Sequence, residues 1–123
     1  MNSISRSAEF AEVRARGFKY RGGALSLVFL PGDESEVKLG MSVPRKVGKA
    51  VVRNKLRRRV REIFRERESS LLAGSYVLLA YPESARLDYH QLSEIVTSLT
   101  VRASRAVSSA SKTRSEAVEE HRI

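Results

Sequence analysis

The sequence predicts an α/β sandwich: one central four-stranded sheet, with elements in the order α-β-β-β-α-β-α. Three observations lead there. Val37, Leu39, Met41 and Val43 alternate with their neighbours, as in a strand with one covered face. From about Lys49 to Glu68, Val52, Leu56, Val60 and Ile63 fall within about 80° of arc at helical spacing, the width of a core-facing stripe. The run Tyr76-Val77-Leu78-Leu79-Ala80 is almost continuously apolar, as expected of a strand buried on both faces.

In chain order, Ser7 to Arg16 reads as a short helix. Ser7 is placed to cap it, Glu9 suits the positive end of its dipole, and Gly17 ends it. Phe10 and Val13 share a face. Phe18-Lys19-Tyr20 and Ala24 to Leu30 then form a hairpin about Gly22-Gly23, and Pro31-Gly32-Asp33 turns into the strand that Pro44 closes. On the basic helix that follows, Glu62 and Glu66 are spaced to pair with Arg58 and Arg59. Gly74 precedes the fourth strand and Pro82 closes it. A last helix runs from about Tyr89 to Val107, opened by a capping box of Asp88 and Gln91, with Leu92, Ile95, Val96, Leu99, Ala103 and Ala106 inward. Residues 1–107 form a single domain. From Ser108 to Ile123 apolar residues almost vanish, and a disordered polar tail is expected.

Net charge is +9 over 123 residues, which points to a polyanionic partner. There is no cysteine, so disulfides and thiolate metal sites are excluded. No apolar run approaches the roughly 20 residues that cross a bilayer, and the N-terminus lacks a secretory signal pattern, so a cytoplasmic location is expected. Without Trp, and with the basic helix using its apolar side for packing, a membrane surface is the poorer partner and nucleic acid the better one.

Between Arg45 and Arg67 nearly every second residue is Lys or Arg. Each cation that neutralises a phosphate releases condensed counterions, so such a surface suits a polyphosphate backbone and no ordinary metabolite. Gly48, flanked by Arg45, Lys46 and Lys49, lets backbone approach an anion at a helix N-terminus. Asn54 offers an amide able to read a 2′-hydroxyl or base edge, and Arg57, Arg58 and Arg61 continue the charged face. Guanidinium groups hold phosphates in pairs or stack on unpaired bases, which favours structured RNA over a smooth duplex.

The segment Leu39-Gly40-Met41-Ser42-Val43-Pro44-Arg45-Lys46-Val47-Gly48-Lys49-Ala50-Val51-Val52-Arg53-Asn54-Lys55-Leu56-Arg57-Arg58-Arg59-Val60-Arg61-Glu62 resembles the signature block of the bacterial ribonuclease P protein component, Gly-x-Ser-Val-x-basic-Lys-x-Gly-x-Ala-Val-x-Arg-Asn-Arg followed by a basic helix. Looser similarity covers the rest of the chain up to about Val107. The resemblance implies a protein subunit of a ribonucleoprotein endonuclease. It would bind a catalytic RNA and the 5′ leader of precursor tRNA, and so assist Mg²⁺-dependent leader removal, with the metal held mainly through the RNA. It further implies that Arg45, Lys46, Lys49, Arg53, Asn54, Lys55, Arg57, Arg58 and Arg61 contact the catalytic RNA. Single-stranded leader would lie in a cleft between the first helix and the sheet, against Phe10. Phe18 and Tyr20 are placed by pattern as extensions of that platform. No membrane or small-molecule substrate is implied.

Three positions depart from the family pattern. Lys55 keeps charge but loses the guanidinium fork. Arg14 stands where many members carry a second aromatic, which makes the leader platform narrower and more electrostatic. Pro44 replaces a small or polar residue. Composition alone fits a non-catalytic RNA-binding module such as a ribosomal protein equally well. A protein-only hydrolase is disfavoured, because Asp33, Glu34 and Glu36 sit in a surface turn and Glu62 and Glu66 lie among arginines, with no carboxylates converging on an ion.

Overall fold

The computed structural model describes residues 1–32 and 36–121, with side chains described as far as Ser108. A mixed sheet forms its centre, in the order β1-β4-β5-β3-β2. Its strands are β1 (Asn2–Ser3), β2 (Phe18–Gly22), β3 (Leu25–Pro31), β4 (Val37–Ser42) and β5 (Gly74–Ala80). Helix α1 (Ser7–Arg16) lies on one face, and α2 (Ala50–Arg67) and α3 (Tyr89–His121) on the other.

Strand parity assigns the layers. Leu25, Leu27 and Phe29 of β3, and Tyr76, Leu78 and Ala80 of β5, pack with Leu56, Val60, Ile63 and Phe64 of α2 and with Leu92, Val96, Leu99 and Ala103 of α3. Val28 and Val77 point the other way and meet Val13 of α1 and Ile4. Strand β5 is thus buried on both faces, antiparallel to β3 on one side and parallel to β4 on the other. Tyr76 anchors the larger layer. Its ring stacks on Phe29 at 4.5 Å between centroids and meets Phe64 edge-on at 5.6 Å, while its hydroxyl donates to the Leu72 carbonyl at 2.7 Å. Burial pushes that phenol up to about 12.

The expected element order stands, with one addition. The sheet has a fifth strand, β1, two residues that pair in parallel with Lys38 and Leu39 of β4. A two-residue strand carries no periodicity to detect. The Asp88–Gln91 capping box forms in both directions: the Gln91 N–H donates to Asp88 Oδ1 at 2.8 Å and the Asp88 N–H to Gln91 Oε1 at 3.0 Å. Three local expectations need correction. Arg6, not Ser7, precedes the first helical residue of α1, and no side chain caps that end. Val52 is 37% exposed, and the buried stripe is Leu56, Val60, Ile63 and Phe64. Glu62 and Glu66 do not pair with Arg58 and Arg59 among the described residues: Arg59 instead donates to the Leu87 carbonyl, and Glu66 accepts from the Tyr89 hydroxyl. The final helix, expected to end near Val107 before a disordered tail, continues in backbone to His121; no Gly or Pro follows Pro82 to stop it. Of the turn expected at Pro31-Gly32-Asp33, Pro31 ends β3 and Gly32 follows it, while Asp33 and Glu34 lie outside the described residues.

Gly74 enters β5 with φ +147°, and a Cβ there would stand 2.4 Å from the Leu30 carbonyl oxygen and 2.7 Å from the Phe29 ring. Gly74→Ala should therefore destabilise the fold by about 2–4 kcal/mol, backbone strain adding to overpacking, read as a lower urea midpoint with unchanged slope. The Tyr76 phenol ionises near 10 in the unfolded chain and only near 12 when folded. The unfolded chain loses that proton first, so the stabilising contribution is complete below pH 10 and disappears as pH rises toward 12. Tyr76→Phe should flatten that part of the alkaline unfolding curve.

Candidate nucleic-acid interface

Helix α2 has two kinds of surface because its apolar and basic residues differ in phase. With Leu56, Val60, Ile63 and Phe64 buried, Arg53, Arg57 and Arg61 form a neighbouring stripe one turn apart, their stems half-buried. Asn54, Lys55 and Arg58 are exposed further round the helix. Chain entering the helix adds Arg45 and Lys46, exposed on a short 3-10 turn (Arg45–Val47), and exposed Lys49. These nine positions, selected from sequence, lie on a single helix and its approach.

Two contacts order this surface. Arg53 Nε donates to the Gly48 carbonyl at 3.1 Å, tying the loop to the helix that follows it. Arg57 Nη1 donates to Asn54 Oδ1 at 3.3 Å, leaving the Asn54 amide hydrogens for a partner. The start of α2 has no side-chain cap and no acidic residue in its first turn. Its first N–H groups and the positive end of the dipole therefore add to the surrounding cations, an arrangement complementary to phosphate.

The opposite face of the sheet is only partly covered, since α1 is ten residues long. A hollow of about 590 Å³ lies between α1 and the end of β4, bordered by Phe10, Ala11, Arg14, Ser42, Pro44 and Arg57. Another of about 460 Å³, bordered by Arg14, Lys19, Arg21, Ser26, Leu79 and Tyr81, lies over β2, β3 and the end of β5. Arg14 borders both, so the two meet at its side chain. Arg57 belongs to the first hollow and to the basic stripe at once, which brings the open groove against the charged helix.

Phe10 occupies the groove but also leans on the core. It is half-buried, joins the layer of Val13, Val28 and Val77, and sits so close over Gly40 that a Cβ there would lie 2.8 Å from its ring. The pattern-based placement of Phe18 and Tyr20 is corrected. Phe18 pairs with Phe29 and Tyr20 with Leu27, so both side chains point to the α2/α3 face, away from Phe10. Tyr20 packs there with the Arg102 guanidinium 5.5 Å from its ring centre. Sequence reading missed the aromatic that does belong to the groove, Tyr81. Parity with Val77 and Leu79 would have placed it on the α1 face, but the residue falls after the end of β5. Its hydroxyl shares a 2.7 Å hydrogen bond with Ser26 Oγ, and the Arg21 guanidinium lies 4.0 Å from its ring centre.

The groove and basic helix carry cations throughout, and among the described residues no group of three or more metal-ligating side chains converges. This surface does not fit as a Mg²⁺ site of its own. No described helix is long and apolar enough to cross a membrane.

Residues 1–104 match the family model described as Ribonuclease P. The chain is 38% identical over 100 residues to the ribonuclease P protein component of Thermobifida fusca, covering 74% of this chain and 68% of that one. It is 39% identical over 93 residues to the component of Chloroflexus aggregans, covering 74% and 69%. Among solved structures, the RNase P protein from Thermotoga maritima superposes with a TM-score of 0.75 at 27% identity, over 83% of this chain and 97% of that one. With the signature block standing at the turn into α2 and the match running across the whole sheet, the chain belongs to the ribonuclease P protein family.

Proposed function

We propose that this chain is the protein subunit of a bacterial ribonuclease P, binding the catalytic RNA through α2 and its entry loop and the 5′ leader of precursor tRNA in the groove. The observation that carries the reading is the junction at Arg57, where a cationic stripe and an open, partly aromatic groove share one side chain. A folded RNA on the stripe and a single strand in the groove would then lie side by side. Family membership favours this over a ribosomal RNA-binding role, which the charge alone would equally allow.

Each part of the surface has its own task. Arg45, Lys46, Lys49 and the open start of α2 neutralise phosphates. Arg53 holds the loop in shape while presenting its remaining N–H groups. Asn54, Lys55, Arg57, Arg58 and Arg61 extend the contact along the helix. Phe10 supplies a face for an unpaired base, an interaction worth about 1–3 kcal/mol per base and indifferent to sequence. The RNA subunit carries the phosphodiester hydrolysis with its Mg²⁺ ions, and the protein acts by positioning substrate. A cytoplasmic setting follows from that partnership.

Adding the purified chain to a bacterial ribonuclease P RNA at low Mg²⁺ should raise cleavage of precursor tRNA; no increase would reject the proposal. Arg57→Ala should weaken binding to the catalytic RNA and reduce the salt dependence of log K by about one unit, the signature of one lost phosphate contact. Phe10→Ala should leave affinity for the catalytic RNA unchanged while narrowing the preference for precursor over mature tRNA, as measured by competition binding to the holoenzyme.

A further inference from the structure

The layer of α2 and α3, across the sheet from α1, holds a hollow of about 300 Å³ that includes none of the nine RNA-facing positions. It lies where α2 ends, beside a 3-10 turn (Glu68–Ser70), and is bordered by Arg67, Leu71, Leu72, Val101, Ser104 and Arg105. Two arginines line it and no carboxylate does. The acidic residues nearest in sequence are engaged elsewhere: Glu66 accepts from the Tyr89 hydroxyl at 2.9 Å, and Glu68 pairs with the Met1 amino group at 2.7 Å. Arg67 and Arg105 form no ion pair among the described residues, and Arg67 Nε is buried without a hydrogen-bond partner. A buried donor of this kind carries a desolvation cost that only an acceptor removes.

The other walls narrow the class of ligand. Leu71, Leu72 and Val101 are apolar, and Leu72 is left 37% exposed. A bare phosphate gains nothing by covering them, whereas the flat face of a base does. The Ser70 and Thr100 hydroxyls also border the hollow. Both have spent their hydrogens, Ser70 on the Arg67 carbonyl at 2.8 Å and Thr100 on the Val96 carbonyl at 2.9 Å. Their oxygens remain as acceptors for an amino or hydroxyl hydrogen.

We propose that this hollow binds a nucleotide, its phosphate between Arg67 and Arg105 and its base on Leu71, Leu72 and Val101. Planar guanidinium groups suit the phosphate, and the spent hydroxyls suit the donors of a base or ribose. The ligand is either a free nucleoside monophosphate or an unpaired nucleotide of the catalytic RNA, since both present this chemistry. The site lies on the opposite layer from Phe10, so it does not depend on a leader in the groove. A bound nucleotide ties the end of α2 to α3 and reinforces the packing that holds the basic helix.

The probe is adenosine monophosphate, titrated into the full chain in a calorimeter at an ionic strength that suppresses non-specific phosphate contacts. Wild type should bind it about tenfold tighter than inorganic phosphate or adenosine. Arg105→Gln and Leu72→Ser, both at exposed positions, should each lose about tenfold, whereas Arg57→Ala should match wild type. The same two variants, assayed for binding the catalytic RNA, separate the sources. A comparable loss there, with the free nucleotide competing against the RNA, assigns the site to an RNA nucleotide. Unchanged RNA affinity assigns it to a free one. If both variants match wild type toward nucleotide and RNA alike, the site is overturned. It is equally overturned if inorganic phosphate binds as tightly as the nucleotide, or if Arg105→Gln alone has an effect, because no base is then held.

Discussion

Everything in this protein depends on α2 holding together despite its own charge. Arg53, Arg57, Arg61 and Arg65 recur every four residues, and each such like-charge neighbour costs about 0.2–0.5 kcal/mol. Burying Leu56, Val60, Ile63 and Phe64 contributes about 1.5–3 kcal/mol for each side chain. Packing exceeds repulsion several-fold, so the helix is stable only as part of the sandwich. Its first turn, with Val51 and Val52 exposed, takes no part in that packing.

The sheet converts that helix into a site with two sides. Strand β4 delivers the chain into the basic loop at Pro44, and β5 returns beside it in parallel, so the ends of both strands open at the same edge of the molecule. Helix α1 crosses the other face and stops at Arg16, leaving those strand ends uncovered. Gly40 lets Phe10 settle low against β4, which keeps the groove open above it. Residues more than forty positions apart in sequence, Phe10 and Arg57, meet in this way at one hollow.

Much of this was legible in the sequence. The phase difference between apolar and basic residues located α2, and Asp88 with Gln91 marked the start of α3. The nine positions expected to meet RNA fall together in the structure because they are close in sequence, on one helix and the loop that enters it. The groove was harder, since its walls come from α1, four strands and α2. Strand pattern put Phe18 and Tyr20 on one face without saying which, and the pairing register with Phe29 and Leu27 turns that face to the layer away from Phe10. Tyr81 escaped because a strand's alternation was not carried past its last ladder residue. Competition accounts for two of the expected partners: the Tyr89 hydroxyl took Glu66 and the Leu87 carbonyl took Arg59.

Strand β2 is one of the two outer strands of the sheet, and beyond the Arg21 carbonyl, which Arg102 bonds, its outer edge presents backbone groups able to recruit a foreign strand. Lys19 and Arg21, which border the groove, sit on that strand among flanking aromatic and apolar residues. Their charges guard against edge-to-edge aggregation. Solubility therefore leans on these same two side chains, and neutralising both would leave an aromatic-flanked edge without a guard.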